Sequence, residues 1–298
     1  MRDNVKIAFL MQSHKCVEQI NILSEILSSE GDDVYIHFDR KSKENRNDIH
    51  IKDNVFLLPI EKTENVGWGK YSQCVCMLRL VEEVLESGRE YDYIWLLSGQ
   101  DFPVKDIKSI KSSLGTESLP YIDIISKENA DRLCFDKRNE IAYPDWIIGK
   151  KLYQKILKKL LIIITGGKKK TFGIFKKKCP AENLYYGSQW WCLPYDCVKE
   201  ILSILKNDNR YTEYFSTSLC PDESFVQTLF MQTGYAGKQQ GNLTYIDWNE
   251  GQSSPKTFTE KDFAEITEFP DKYLFVRKVD LASAPRLVEL LKQKIGVE

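Results

Sequence analysis

A proline, two adjacent carboxylates and an apolar run stand together in Leu219-Cys220-Pro221-Asp222-Glu223-Ser224-Phe225-Val226-Gln227-Thr228-Leu229. Pro221 suits the first turn of a helix, where its missing N–H is no loss. Asp222 and Glu223 then fall in that same turn, where the positive end of the helix dipole favours anions. Phe225, Val226, Leu229 and Phe230 follow at helical spacing and would anchor the turn against a core. A carboxylate held this way can take a proton from a substrate hydroxyl within hydrogen-bond reach. The same pattern also describes an ordinary acidic first turn, so other residues must decide between the two.

Charge of the other sign gathers near the C-terminus, in Lys256, Arg277 and Lys278. Together they could offset negative charge developing on a leaving group. Trp190, Trp191 and Trp248 offer flat faces for packing sugar C–H groups, although Trp190 and Trp191 also read as core. No D-x-D pair stands at a strand end to hold a metal, and neither a G-x-G-x-x-G nor a Walker loop is present. Eight cysteines are scattered along the chain. The C-x-C at 74–76 and the C-x4-C at 192–197 lack the partners that would complete a zinc site, so reduced core cysteines are expected.

The elements that must position these groups alternate in the first half. Ile7-Ala8-Phe9-Leu10-Met11, Val34 to Phe38, Val55 to Leu58 and Tyr93 to Leu97 read as short strands. Cys16 to Leu27 and Tyr71 to Leu85 keep helical spacing between them. Repeated strand–helix units predict an α/β fold whose mainly parallel sheet carries helices on both faces. Such sheets bind ligands at the carboxyl ends of their strands. Polar residues gather there: Gln12-Ser13-His14, then His37 and Asp39, then Ser98, Gln100 and Asp101. Three strand ends with polar clusters predict a ligand cleft. Further on, Tyr185 to Leu193 reads as a glycine-led aromatic strand, and Pro285 to Ile295 as the last helix.

The chain of 298 residues is 42% hydrophobic and 29% charged, with net charge −1. That suits a single domain. No apolar run reaches the 18 residues of a membrane span, and the N-terminus lacks a signal-peptide layout, so a cytosolic protein is expected. Between Gly149 and Lys178 stand eleven lysines and no Asp or Glu. Leu152 to Ile164 keeps helical spacing within that run. Such a helix suits an anionic membrane surface, and equally suits packing on the core with a solvated far side. Nucleic acid is disfavoured by the acidic remainder of the chain.

The order of segments resembles the core-2/I-branching β-1,6-N-acetylglucosaminyltransferase and peptide O-xylosyltransferase family. The matching pieces are V-Y-I-H-F-D-R-K-S at 34–42, V-G-W-G-K-Y-S at 66–72, L-S-G-Q-D-F-P-V-K at 97–105 and Y-G-S-Q-W-W at 186–191. P-D-E at 221–223, Y-I-D-W at 245–248 and F-V-R-K-V-D at 275–280 complete the set. The lysine-rich run has no counterpart among them. The resemblance implies a GT-A-type fold and an inverting glycosyltransferase that uses a UDP-sugar donor without a metal ion or other cofactor, with a nucleotide-binding half in 1–125 and an acceptor and catalytic half, holding the basic run 149–178, in 126–298. It implies Glu223 as the base that activates the acceptor hydroxyl, Asp39 as a uridine contact and Lys278 as a diphosphate contact. Lys256 stands in for an arginine that the spacing would put near Ser253. His14, Ser98, Asp101 and Arg277 complete the expected donor site. On the acceptor side the expectations are Trp248 and Trp190, with Asp123 and Arg132 as carboxylate and cation. The expected reaction is transfer of GlcNAc or xylose to a glycan, including a lipid-linked one, in bacterial surface polysaccharide synthesis. An inert glycan- or nucleotide-binding protein on the same scaffold is the alternative.

Overall fold

The computed structural model describes residues 5–115, 117–132, 136–143, 152–167, 175–248, 254–268 and 272–297. In chain order these hold β1 (Ile7–Ser13), α1 (Val17–Leu27), β2 (Asp33–Phe38), β3 (Val55–Leu57), α2 (Ser72–Glu86) and β4 (Tyr93–Ser98). Next come β5 (Asp101–Pro103), α3 (Ile107–Leu114), β6 (Tyr121–Ile122), α4 (Lys127–Arg132), α5 (Asp136–Asn139) and α6 (Leu152–Ile164). The remainder is β7 (Trp191–Pro194), α7 (Tyr195–Asn207), α8 (Arg210–Ser216), α9 (Phe225–Phe230), β8 (Thr244–Ile246), α10 (Phe263–Thr267), β9 (Phe275–Arg277) and α11 (Pro285–Lys294).

The main sheet runs β3-β2-β1-β4-β7-β6. Its first four strands are parallel, and β7 and β6 join antiparallel. β1 explains the layering. Ile7, Phe9 and Met11 enter one core with α1, α3 and α11, while Ala8 and Leu10 enter a second with α2, α7 and α9. Side chains two apart share a face, so a strand apolar at every position must be covered on both sides. The mainly parallel α/β sheet with helices on both faces is therefore the architecture expected from the sequence. A second sheet, β5-β9-β8, forms where β5 leaves the end of β4 and pairs with the C-terminal strand.

Two local expectations are corrected. The aromatic stretch from Tyr185 becomes a strand only at Trp191, because its earlier backbone groups are taken elsewhere. The Tyr185 N–H donates to Thr228 Oγ1 (3.2 Å) and that of Gly187 to the Glu223 carbonyl (2.9 Å). The helix expected to begin at Pro221 is split. Pro221–Glu223 forms a separate 3-10 turn, and Ser224 (φ −147°) interrupts it before α9.

Candidate functional site

The carboxyl ends of β1, β2 and β4 meet, as the parallel register requires. The Asp39 N–H donates to the Ser13 carbonyl and the Gly99 N–H to that of Gln12, each at 2.9 Å. Asp39 is buried at the end of β2, where Oδ1 accepts from the Lys41 N–H (3.0 Å) and the Val66 N–H (3.4 Å). His37 is structural: its Nε2 accepts from the Glu64 N–H (2.8 Å), and burial holds its pKa down at about 4. The loop from Val66 then runs to the acidic turn, where the Gly69 carbonyl accepts from the Cys220 N–H at 2.9 Å. Asp39 and Pro221–Glu223 are thus tied to opposite ends of one short loop, from which Trp68 projects with 75% exposure.

Under the end of β4, Asp101 is sealed. Its Oδ2 accepts from the Ser98 N–H (2.8 Å) and its Oδ1 from Arg277 Nη1 (2.7 Å), with side-chain exposures of 1% and 12% across the ion pair. The Arg277 guanidinium lies 4.3 Å from the centre of the Trp190 ring. Asp101, Arg277 and Trp190 therefore form one buried stack at the end of β4, with the carboxylate already occupied. Burial pushes the Asp101 carboxyl up, and the Arg277 charge pulls it back. Ser98 is buried too, its Oγ accepting from the Gln100 N–H.

Above that stack stands a group of mutually repelling cations. Partial burial, then Arg277 and Lys15, lower the Lys278 pKa, with Asp101 acting the other way. His14, exposed beyond β1, is lowered by partial burial, by Lys15 and by Arg277 and Lys278, while Asp39 opposes. Lys15 Nζ pairs with Asp280 Oδ2 at 2.6 Å. Among the described residues no carboxylate comes within ion-pair distance of Lys278 Nζ. An anion such as a diphosphate would relieve this repulsion.

Lys256 does not join them. Its Nζ lies 2.8 Å from Asp262 and 3.9 Å from both Asp247 and Glu265, so three carboxylates share it. Here its side chain forms an internal ion pair that closes the turn between β8 and α10. Ser253, the other position considered, lies outside the described residues. Trp248, just beyond β8, is 56% exposed and open for stacking, unlike Trp190 and Trp191, which are 7% and 2% exposed.

The acidic turn is held by strain and by fit. Cys220 sits in the left-handed region (φ 50°), a conformation that costs an ordinary residue of order 1 kcal/mol or more. Across from it, a Cβ on Gly187 would come 1.8 Å from the Asp123 carbonyl oxygen, so only glycine can pass between Asp123 and Glu223. Arg138, at the end of α5, reaches in with Nη1 2.5 Å from Glu223 Oε2. The exposures are 33% and 28%, so this pair is reachable from solvent. Burial raises the Glu223 pKa and Arg138 lowers it. Asp222 is raised to about 7, first by burial and then by the Glu223 charge; among the described residues nothing hydrogen-bonds its buried Oδ1. Asp123 holds the Asn242 N–H on Oδ1 at 2.9 Å, and burial raises its pKa. Arg132 is exposed at the end of α4. The cation at the carboxylate is Arg138.

Comparison with known proteins bears on this geometry. Residues 7–269 match the family described as Core-2/I-Branching enzyme. The chain belongs to that family. It is a glycosyltransferase, and the family works with a nucleotide-sugar donor and a glycan acceptor. No curated protein sequence matches the chain. Among solved structures it is similar to core-mannan synthase A from Aspergillus fumigatus in a Mn/GDP form, with 10% identity, TM-score 0.37, and 78% of this chain and 72% of that one covered. It is also similar to the bifunctional glycosyltransferase WbbM, with 10% identity, TM-score 0.39, and 99% of this chain but only 52% of that chain covered. Both likenesses are distant.

In this core-2/I-branching enzyme the charged and aromatic groups occupy separate places. Cations stand at the β1 and β9 ends, an open aromatic stands just beyond β8, and a paired carboxylate stands on the turn tied to the Val66–Gly69 loop. Sequence reasoning missed Arg138 and Lys15. It also missed the amide chain linking Gln12 to Gln189 (2.8 Å) and to the Gln73 carbonyl (3.2 Å), which ties β1 to α2 and to the stretch before β7. Gln12 and Gln189 stood within matched or singled-out stretches. Arg138 had no such signal, being 85 residues from Glu223 in the chain.

Proposed function

We propose that this chain is an inverting transferase that moves GlcNAc or xylose from a UDP-sugar to a glycan hydroxyl without a metal ion, in the assembly of a cell-surface polysaccharide. The observation that carries the reading is the half-open Glu223–Arg138 pair on a rigid turn, tied by the Val66–Gly69 loop to Asp39. In this reading Glu223 takes the acceptor hydroxyl proton as that oxygen attacks the anomeric carbon from the face opposite the diphosphate. Arg138 keeps the carboxylate ionised and oriented beforehand. Asp39 meets the uridine, and Lys278, with His14 and Lys15 beside it, meets the charge that grows on the departing diphosphate. Trp248 lies against the acceptor sugar. Asp101 and Arg277 act from beneath by fixing the segment that carries Lys278.

The test is UDP release from a panel of UDP-sugars, with and without EDTA. Activity should survive chelation, and Lys278→Ala should weaken UDP binding by ~1.5–3 kcal/mol, the range for hydrogen bonds to charged groups. Activity lost to EDTA and restored by manganese would refute the metal-free reading.

A further inference from the structure

Sugar transfer gives α6 no task, yet α6 is the least ordinary element of the molecule. Leu152, Tyr153, Ile156, Leu157, Leu160, Ile163 and Ile164 are 40% to 80% exposed. Gln154 is its buried residue, and Leu161 and Ile162 are half-buried. At 3.6 residues per turn the seven exposed side chains fall in one arc of about 140°, and Lys155 and Lys159 line one border of it. The side running through Gln154 and Leu161 is the one turned to protein. Core packing by the apolar side, one of two expectations for this helix, is thus overturned: that side faces solvent.

We propose that α6 docks this enzyme on an anionic lipid surface. Its 13 residues extend about 20 Å, short of the ~30 Å of a hydrocarbon core. Among the described residues no helix is long and apolar enough to cross a membrane. A helix with an apolar arc bordered by lysine lies in the headgroup layer instead. Lys155, Lys158 and Lys159 are exposed on α6 itself, and 149–178 contains no Asp or Glu to oppose their attraction to negative headgroups. The other occupants fit less well. Nucleic acid would take the lysines and leave the isoleucines and leucines wet. A second copy would cover the arc but bring two lysine borders together.

The segment that carries α6 leaves and rejoins the described fold beside the transfer site. Ile141 bridges Lys176, the Ala142 N–H donates to the Phe175 carbonyl (2.7 Å), and the Lys177 N–H donates to that of Glu140 (2.8 Å). The same strap continues to Arg138, whose carbonyl accepts from the Leu219 N–H at 2.8 Å. Lys177 is not a surface lysine. Its ammonium is turned inward on the Tyr214 carbonyl and on the hydroxyls of Thr217 (3.0 Å) and Ser218 (2.8 Å), and burial lowers its pKa to about 7. Lys168, Lys169 and Lys170 lie outside the described residues. Because that segment is rooted beside Arg138, docking through α6 tethers the Arg138–Glu223 site to the lipid surface, where a lipid-linked acceptor presents its sugar; that last step alone rests on the proposed function.

The experiment is co-sedimentation of the full chain with vesicles of phosphatidylcholine alone or mixed with phosphatidylglycerol. Two variants accompany it, Lys155→Gln/Lys158→Gln/Lys159→Gln and Ile156→Ser/Leu160→Ser, all at exposed positions and none in the transfer site. Binding should need phosphatidylglycerol, fall on the order of tenfold in high salt, and drop in both variants while UDP-sugar turnover in solution stays unchanged. Equal partition onto both vesicles would overturn the electrostatic attraction. A dimer that Ile156→Ser/Leu160→Ser dissociates, without vesicle binding, would reassign the arc to a second copy. Retention on RNA but not on vesicles would overturn the proposal as well. Because vesicle binding and turnover are read separately, failure of one leaves the other standing.

Discussion

Two carboxylate–arginine pairs in this molecule share a chemistry and differ in surroundings. Asp101–Arg277 has 1% and 12% of its side-chain surface left and lies under Trp190; Glu223–Arg138 keeps 28% and 33%. The closed pair joins the end of β4 to β9 and so fixes where Lys278 emerges. The open pair holds a carboxylate ready at the surface of a strained turn. Burial thus separates a sealed fastener from a carboxylate still open to solvent, although both are written as one acid and one arginine far apart in sequence.

The largest expected effect is on the closed pair. Asp101→Asn leaves a buried guanidinium without its counter-charge and should cost ~3–5 kcal/mol in urea unfolding. A loss below about 1 kcal/mol would mean that this pair is no more a fastener than a surface one. At the open pair the effect should move from stability to rate. Glu223→Gln should lower turnover ~10²-fold or more with UDP binding nearly kept, while the melting temperature hardly changes. Near-normal turnover would pass the base to Asp222 or Asp123.

The smallest effect separates Asp222 from its neighbour. Its carboxyl stands at about 7 against an ordinary 3.8. Between those values the folded chain keeps a proton that the unfolded chain releases, so Asp222 lowers stability as pH rises through that window. Asp222→Asn should therefore gain on the order of 1–3 kcal/mol over the parent at about pH 8 and nothing near pH 4. Parallel stability curves for the two proteins would place the titration elsewhere.

The sequence made the central strands and helices legible because period and composition are local. Ile7 to Met11 and Tyr93 to Leu97 could be little else than buried strands, and Pro285 opens the last helix as expected. The P-D-E turn was visible for its residue types. Its separation from α9 was not, because Ser224 leaves the helix through tertiary contacts, its Oγ 3.2 Å from Asn139 Oδ1. The three carboxylates around Lys256 could not be seen in the sequence, since what pairs with it is settled by the turn between β8 and α10. Arg138 was hidden for the same reason, since nothing near it in the chain marks what it faces across the fold.

The strap at Ile141 and Lys176 has a consequence for descent and engineering. The chain departs and returns at adjacent points, so what lies between Tyr143 and Phe175 behaves as a cassette. Lengthening such a segment costs only about 0.6 kcal/mol for each doubling. A lineage can therefore resize, swap or discard it while the sheet and the P-D-E turn stay where they are.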